Sequence, residues 1–190
     1  IRLYNVYSFF VIYANLDGWK PTGDYAEFVE KDGYTDLDRW LFSELHCSIQ
    51  DISTRMDNYD SLGAARTLSD FVDSLSNWYV RRSRERFWSS GMDASKDAAY
   101  QSLYYALVNT LLVAAPFVPF FVEKLFNNLV KTRKDLPNIP ESIHLCDYPK
   151  VNDALIDQNL SETIALAREV VSLGRSVRSQ SKIRVRQPLP

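Results

Sequence analysis

Apolar residues recur along this chain at helical spacing, and five stretches carry the pattern. Residues 1–16 (IRLYNVYSFFVIYANL) space aromatic and aliphatic side chains three to four apart, and Asp17-Gly18 ends the run. A polar loop with Pro21, Gly23 and Gly33 follows. Asp36 then serves as the expected N-cap of a helix to about Asn58, with Trp40, Leu41, Leu45, Ile49, Ile52 and Met56 on its apolar face. A long central helix opens at Asp60 or Ser61 and ends near Ser90-Gly91. Another runs from about Ala94 to Ala115 and carries Tyr100, Tyr104 and Tyr105. The last spans about Asn152 or Asp153 to Ser179; Leu160, Ile164, Ala167, Val171, Gly174 and Val177 line its expected inner face, and Arg178 ends it there. Beyond it, Lys182 to Arg186 alternates polar and apolar, a strand period with no partner strand in the chain. Five helical periods joined by short connections predict an all-α fold, an antiparallel bundle of about five helices with a short extended C-terminal segment. No internal repeat interrupts this order.

The central helix carries the most informative face. With Trp78 at zero and about 100° per residue, Leu68, Phe71, Leu75, Trp78 and Tyr79 share one side. Arg82 and Arg86 fall at about 40° and 80°, inside that stripe, while Asn77, Arg81, Arg84 and Trp88 gather on the other side, between about 240° and 300°. Arginines in line with a core stripe need carboxylates, carbonyls or phosphates, because an unpaired buried charge is very costly. Arg82 and Arg86 are therefore expected to be largely buried and paired, and Arg81 and Arg84 to be open to a ligand.

Leu103 to Val122 is the most apolar stretch, long enough that a membrane span must be weighed. Asn109, Thr110, Pro116 and Pro119 interrupt it, and Glu123-Lys124 closes it with no basic flank, so two buried helices are the better reading, the second opening with Pro116 in its first turn. Residues 131–152 form a linker with a short extended piece at Ile143-His144-Leu145.

Composition sharpens the picture in one respect. The 190 residues suit one domain, or one with a small appendage, and the net charge of −2 advertises no polyanion partner. Yet residues 81–86 carry +3 and residues 168–186 carry +5, leaving −10 for the remainder. Two basic segments on an acidic body direct a polyanion to one surface. Cys47 and Cys146 have no CxxC companion, so a disulfide or zinc framework is not expected and a reducing cytoplasm fits. His46 and His144 read as structural residues. There is no N-terminal signal pattern, and the chain reads as a segment of something larger. No phosphate-binding glycine loop, His-Glu-x-x-His or nucleophile elbow occurs, and the pairs Asp36/Asp38 and Asp70/Asp73 sit where capping and solvation explain them. No catalytic residue and no metal ligand is assigned. A basic helix interleaved with aromatics suits nucleic acid, since arginine forks bind phosphates and flat side chains stack on unpaired bases.

The run NWYVRRSRERFW (77–88) closely resembles the anticodon-binding helical domain of isoleucyl-tRNA synthetases of the archaeal, eukaryotic and eukaryote-like bacterial type. Asp36-Leu37-Asp38-Arg39-Trp40-Leu41, Ala115-Pro116-Phe117-Val118-Pro119-Phe120 and Lys182-Ile183-Arg184-Val185-Arg186-Gln187-Pro188-Leu189 resemble family segments in the same order. The double-proline element is shared with valyl and leucyl enzymes; the Arg/Trp run with the terminal segment favours isoleucine. The resemblance implies a helical domain over residues 1–180, and a segment at 181–190 leading toward a further C-terminal region. It implies that the domain grips the anticodon stem-loop of isoleucine tRNA beside the catalytic domain of a parent ATP- and Mg-dependent cytoplasmic ligase, with no cofactor and no membrane contact of its own. The class I signatures of the nucleotide fold are absent, so this segment should catalyse nothing alone. Residue type and wheel position place Asn77, Trp78, Arg81, Arg84, Trp88, Arg175, Lys182, Arg184 and Arg186 as tRNA-binding candidates, with Arg82, Arg86 and Arg178 structural or tRNA-facing. The alternatives are a valyl- or leucyl-type anticodon domain, and a helical protein-interaction domain whose arginines form buried ion pairs.

Overall fold

A computed structural model describes residues 2–133 and 135–188, which fall into two compact units, Ile1–Ile156 and Asp157–Pro190. In the first unit, α1 spans Arg2–Asp17, α2 Asp36–Asp57 and α3 Ser61–Ser74. A π-helical turn at Leu75–Val80 leads without a break into α4, Arg81–Trp88; α5 (Ala94–Ala114) and α6 (Pro119–Leu129) follow. Ile143–Leu145 and Asp153–Leu155 are single 3₁₀ turns, so the extended piece expected at 143–145 is replaced by a turn capped by the Ser142 side chain. There is no strand among the described residues.

Local chemistry explains where the helices begin. Thr35, not Asp36, is the N-cap of α2: Asp38 reaches back and accepts from the Thr35 backbone N–H at 2.8 Å and hydroxyl at 2.7 Å. Asp60 and Asp93 cap α3 and α5 by accepting from the backbone N–H of Gly63 and Lys96. Pro119 opens α6, while Pro116 lies in the turn before it. The reason is that α5 ends at Ala114, whose carbonyl accepts from both Phe117 and Val118 and closes a tight turn across Pro116.

The first part of the apolar stretch that raised the membrane question, Leu103 to Ala114, is the centre of the bundle; the second part, expected to be buried too, is half-buried or exposed from Ala115 to Phe121, with Phe120 91% exposed. Every residue of α5 from Ala98 to Ala114 is buried, with α2, α3, α4, α1 and α6 packed around it. A helix apolar all round belongs in such a position. None of the described helices is long and apolar enough to cross a membrane. Trp40, Leu41, Leu45, Ile49 and Ile52 of α2 are buried, as the sequence spacing requires, whereas Met56 of the same expected face is half-buried.

The second unit is α7, Gln158–Gln180, and the tail after it. Asp157 caps its start. None of its residues is buried; Leu160, Ile164 and Val171 are half-buried, whereas Ala167, Gly174 and Val177 of the expected inner face are exposed. The strand period at 182–186 does not become a strand. Lys182 takes a left-handed conformation (φ 55°) and the Ile183 N–H donates to the Arg178 carbonyl at 2.8 Å, a helix-terminating turn. A second turn joins Arg184 to Gln187. With no strand alongside, the backbone bonds of this segment are made locally.

Candidate nucleic-acid interface

The geometry of the arginine run follows from the π turn. An α-helix repeats every 3.6 residues; closing i to i+5 inserts one extra residue and sets every later side chain back by about 100°. The buried positions therefore run Phe71, Leu75, Tyr79 and Val80, then Ser83 and Phe87. Arg82, expected in the core stripe and paired, is instead exposed, and no carboxylate bonds it. Its guanidinium carbon lies 3.8 Å from the centre of the half-buried Trp78 ring.

Arg86 stays at the edge of the core. Its Nη1 donates at 2.9 Å to both carboxylate oxygens of Asp38, its Nε donates to Ser95 Oγ at 3.0 Å and its Nη2 to the Ser95 carbonyl at 2.7 Å. One guanidinium thus ties α4 to the first turns of α2 and α5. Asp38 is fully buried and also accepts from the Tyr79 hydroxyl at 2.6 Å. Burial, then the Asp38 charge, push the Tyr79 phenol well above its ordinary pKa, so it remains a donor.

The end of α4 is held equally firmly. Lys96, only 2% exposed, donates to the Ser89 carbonyl at 2.8 Å and pairs with Asp17 at 2.7 Å. Phe87 packs edge-on against Phe9 and Tyr100. Trp88 is 56% exposed, with its indole N–H donating to the Tyr13 hydroxyl at 2.7 Å. Tyr13 carries no signal in the sequence that would place it beside Trp88; only the packing of α1 on α4 does so.

On this rigid rod Arg81, Arg82 and Arg84 all face solvent, and among the described residues none of them has a hydrogen bond or ion pair. Glu85, exposed on the same helix, pairs with none of them. Asn77 donates to Asp73, which also pairs with Arg2 at 2.7 Å, so Asn77 is exposed but engaged. The structure therefore brings Trp78, Arg81, Arg82, Arg84 and Trp88 together along one helix, with Asn77 at its head. The remaining candidates lie in the second unit. There Arg175, Lys182, Arg184 and Arg186 are exposed, and Arg178 donates to the carbonyls of Arg184 (3.0 Å) and Gln187 (2.9 Å), holding the basic tail against α7.

No group of three or more metal-ligating side chains occurs among the described residues. His46 is enclosed in the fold: its Nδ1 accepts from the Asn152 N–H at 3.1 Å and its Nε2 lies 2.9 Å from the Tyr105 hydroxyl. Burial pushes its pKa down to about 4 against a small opposing effect of Asp153, which makes it a neutral structural residue. What the first unit can do chemically is present fixed cations and flat rings to a polyanion.

Known proteins point the same way. The chain is 49% identical over 189 residues to an isoleucine–tRNA ligase of Dehalococcoides mccartyi, matching 100% of this chain and 18% of that protein. It is 46% identical over 187 residues to the isoleucine–tRNA ligase of Clostridium tetani, covering 98% of this chain and 18% of the other. It is 44% identical over 187 residues to isoleucine–tRNA ligase 2 of Bacillus cereus, covering 98% and 17%. The chain thus spans less than a fifth of the length of these relatives. Residues 38–190 match the family described as the anticodon-binding domain of tRNA ligase, and the chain belongs to that family.

Proposed function

We propose that this chain is the tRNA-reading module of an isoleucine–tRNA ligase and holds the anticodon stem-loop of isoleucine tRNA. The carrying observation is the run of three exposed arginines at 81, 82 and 84, none held by a hydrogen bond or ion pair among the described residues, on a helix whose other face is locked into the core. A cation left without an internal partner on a rigid surface is available to a phosphate at no cost in broken ion pairs. The acidic remainder of the chain repels RNA elsewhere and orients it to this helix. The proposed contacts are Asn77, Trp78, Arg81, Arg84 and Trp88 in the first unit and Arg175, Lys182, Arg184 and Arg186 in the second, with Arg178 ordering the tail.

In this reading residues 1–180 are the helical domain and residues 181–190 lead toward a further region of the parent. Activation of isoleucine with ATP and Mg belongs to a catalytic domain elsewhere in that parent, and the cytoplasm is where it would work. The names of the relatives favour isoleucine over valine or leucine as the cognate amino acid.

The test is binding of anticodon stem-loops from isoleucine, valine and leucine tRNAs to this chain across a salt series. Preference for the isoleucine stem-loop with a steep loss of affinity at high salt is expected. Equal binding of all three would remove the assignment to isoleucine. Binding of a protein partner but of no RNA would replace the reading with an interaction domain.

A further inference from the structure

The π turn does more than preserve the core register. We infer that Trp78 and Arg82 form a pedestal on which one unpaired nucleobase of the bound RNA stacks, against the outer face of the Arg82 guanidinium. The inference rests on the RNA-binding reading above and specifies what one part of that surface recognises.

Three observations carry it. First, the i, i+4 pair is already assembled: the guanidinium carbon sits 3.8 Å from the Trp78 ring centre, so one face of the planar cation is covered by indole. Second, Arg82 is exposed and no acceptor in the described chain holds its edges, so its second flat face is open to solvent. A plain α-helix would have turned this side chain toward the core; the extra residue between Leu75 and Val80 turns it out, and the i, i+4 spacing keeps it beside Trp78. Third, Arg81 lies next in the chain, exposed and without an ion pair, a second cation beside the pair for the backbone of a nucleotide whose base rests on Arg82.

These features divide the labour on the helix. A guanidinium that binds only phosphate needs its edge N–H groups free and gains nothing from an indole beneath it. A guanidinium held over an indole has given up part of its rotamer freedom, and it is a delocalised plane of the kind that stacks on the π-face of a base. Every base has such a face, so the pedestal selects unpaired nucleotides over paired ones rather than one base over another. A duplex keeps its bases stacked inside and offers this pair nothing but backbone.

Two RNAs of equal length and charge test the idea on this chain: a hairpin with an unpaired loop and a fully paired duplex, each titrated by tryptophan fluorescence. Arg82→Lys keeps the charge and lies on the surface, so the variant folds. It should weaken hairpin binding roughly five- to hundredfold, the span of one base-stacking contact, and leave duplex binding unchanged. Trp78→Phe removes one of the two indoles on this surface, so the fluorescence change on hairpin binding should shrink, with Trp88 supplying the remainder. Wild-type hairpin affinity in Arg82→Lys, or an undiminished fluorescence change in Trp78→Phe, would overturn the pedestal while the RNA reading stands. Failure of the wild-type chain to bind either RNA would overturn both.

Discussion

Arg86 and Asp38 meet through a single guanidinium nitrogen, Nη1, placed 2.9 Å from each carboxylate oxygen, with the arginine side chain 16% exposed and the aspartate wholly enclosed. Asp38 is the third residue of α2 and accepts as well from Thr35 and Tyr79, so its lone pairs are filled from three elements. The pair thereby fixes the helix that carries the exposed arginines.

The first prediction concerns this pair. Arg86→Ala leaves a buried carboxylate without its countercharge and should destabilise the first unit by about 3–5 kcal/mol in urea unfolding. Combining it with Asp38→Asn should recover part of the loss, because the uncompensated charge is gone. Arg82→Ala should move stability by about half a kcal/mol or less, as for other surface positions. A large loss on Arg82→Ala with none on Arg86→Ala would mean that the helix register given above is wrong.

The exposed face is probed by charge reversal. Arg81→Glu with Arg84→Glu should leave the thermal midpoint nearly unchanged, since neither arginine has a partner in the described fold. The same double variant should lose binding to the isoleucine anticodon stem-loop. Neutral replacement of both by Ala should lower the slope of log affinity against log salt by about 0.7 for each single-strand phosphate contact removed. An unchanged slope would show that these arginines do not touch phosphates.

Helix order in the first unit was legible because its helices bury apolar stripes around α5, and burial at that spacing is what hydrophobic patterning encodes. The π turn was not. A wheel at a constant 100° per residue has no term for an inserted residue, and the six residues Leu75–Val80 carry no composition that marks one. Arg86 stayed at the core edge only because the stripe is wide, whereas Arg82 left it. Thr35 was passed over as a cap because Asp36 is an equally good capping type; Asp38, three residues on, is what selects Thr35. At 182–186 the alternation lacked a neighbouring strand, and a left-handed Lys182 ended the helix instead. Among the candidate residues, those on one helix could be grouped from the sequence, while partners from other helices, Tyr13 and Ser95, could not.

Gly33 offers a separate test of how the loop before α2 is seated. Its φ is +97°, and a Cβ there would lie 2.7 Å from the Ala94 carbonyl at the start of α5, beside the residue that receives Arg86. Gly33→Ala combines backbone strain with a clash against main chain and should cost about 1–3 kcal/mol. Gly18 also has a positive φ, +63°, but a Cβ there meets nothing within 4 Å. Gly18→Ala should therefore cost only the conformational part, about 1 kcal/mol. Equal losses in chemical denaturation would argue against the close approach at Gly33.

His46 predicts the acid limb of stability. A backbone N–H can only donate, so the bond from Asn152 fixes Nδ1 as an acceptor and places the ring proton on Nε2, directed at the Tyr105 hydroxyl. A second proton would have to enter at Nδ1 and break the Asn152 contact inside the fold. With a folded pKa of about 4 and an unfolded value of 6.5, the unfolded chain takes up the proton first as pH falls. Stability from this group is therefore complete above the unfolded value and declines as pH drops through the window, by about 2 kcal/mol between about pH 7 and about pH 5. The carboxylates held below their ordinary pKa, such as Asp17 beside Lys96 and Tyr100, add their own losses at lower pH. Asp153 opposes the shift and limits its size. His46→Gln keeps a donor and an acceptor but cannot titrate, so its urea-unfolding free energy should be nearly flat over the same interval. If the variant loses as much stability as the wild type between those two pH values, His46 is not the group responsible, and its imidazole must already be protonated or open to water in the folded chain.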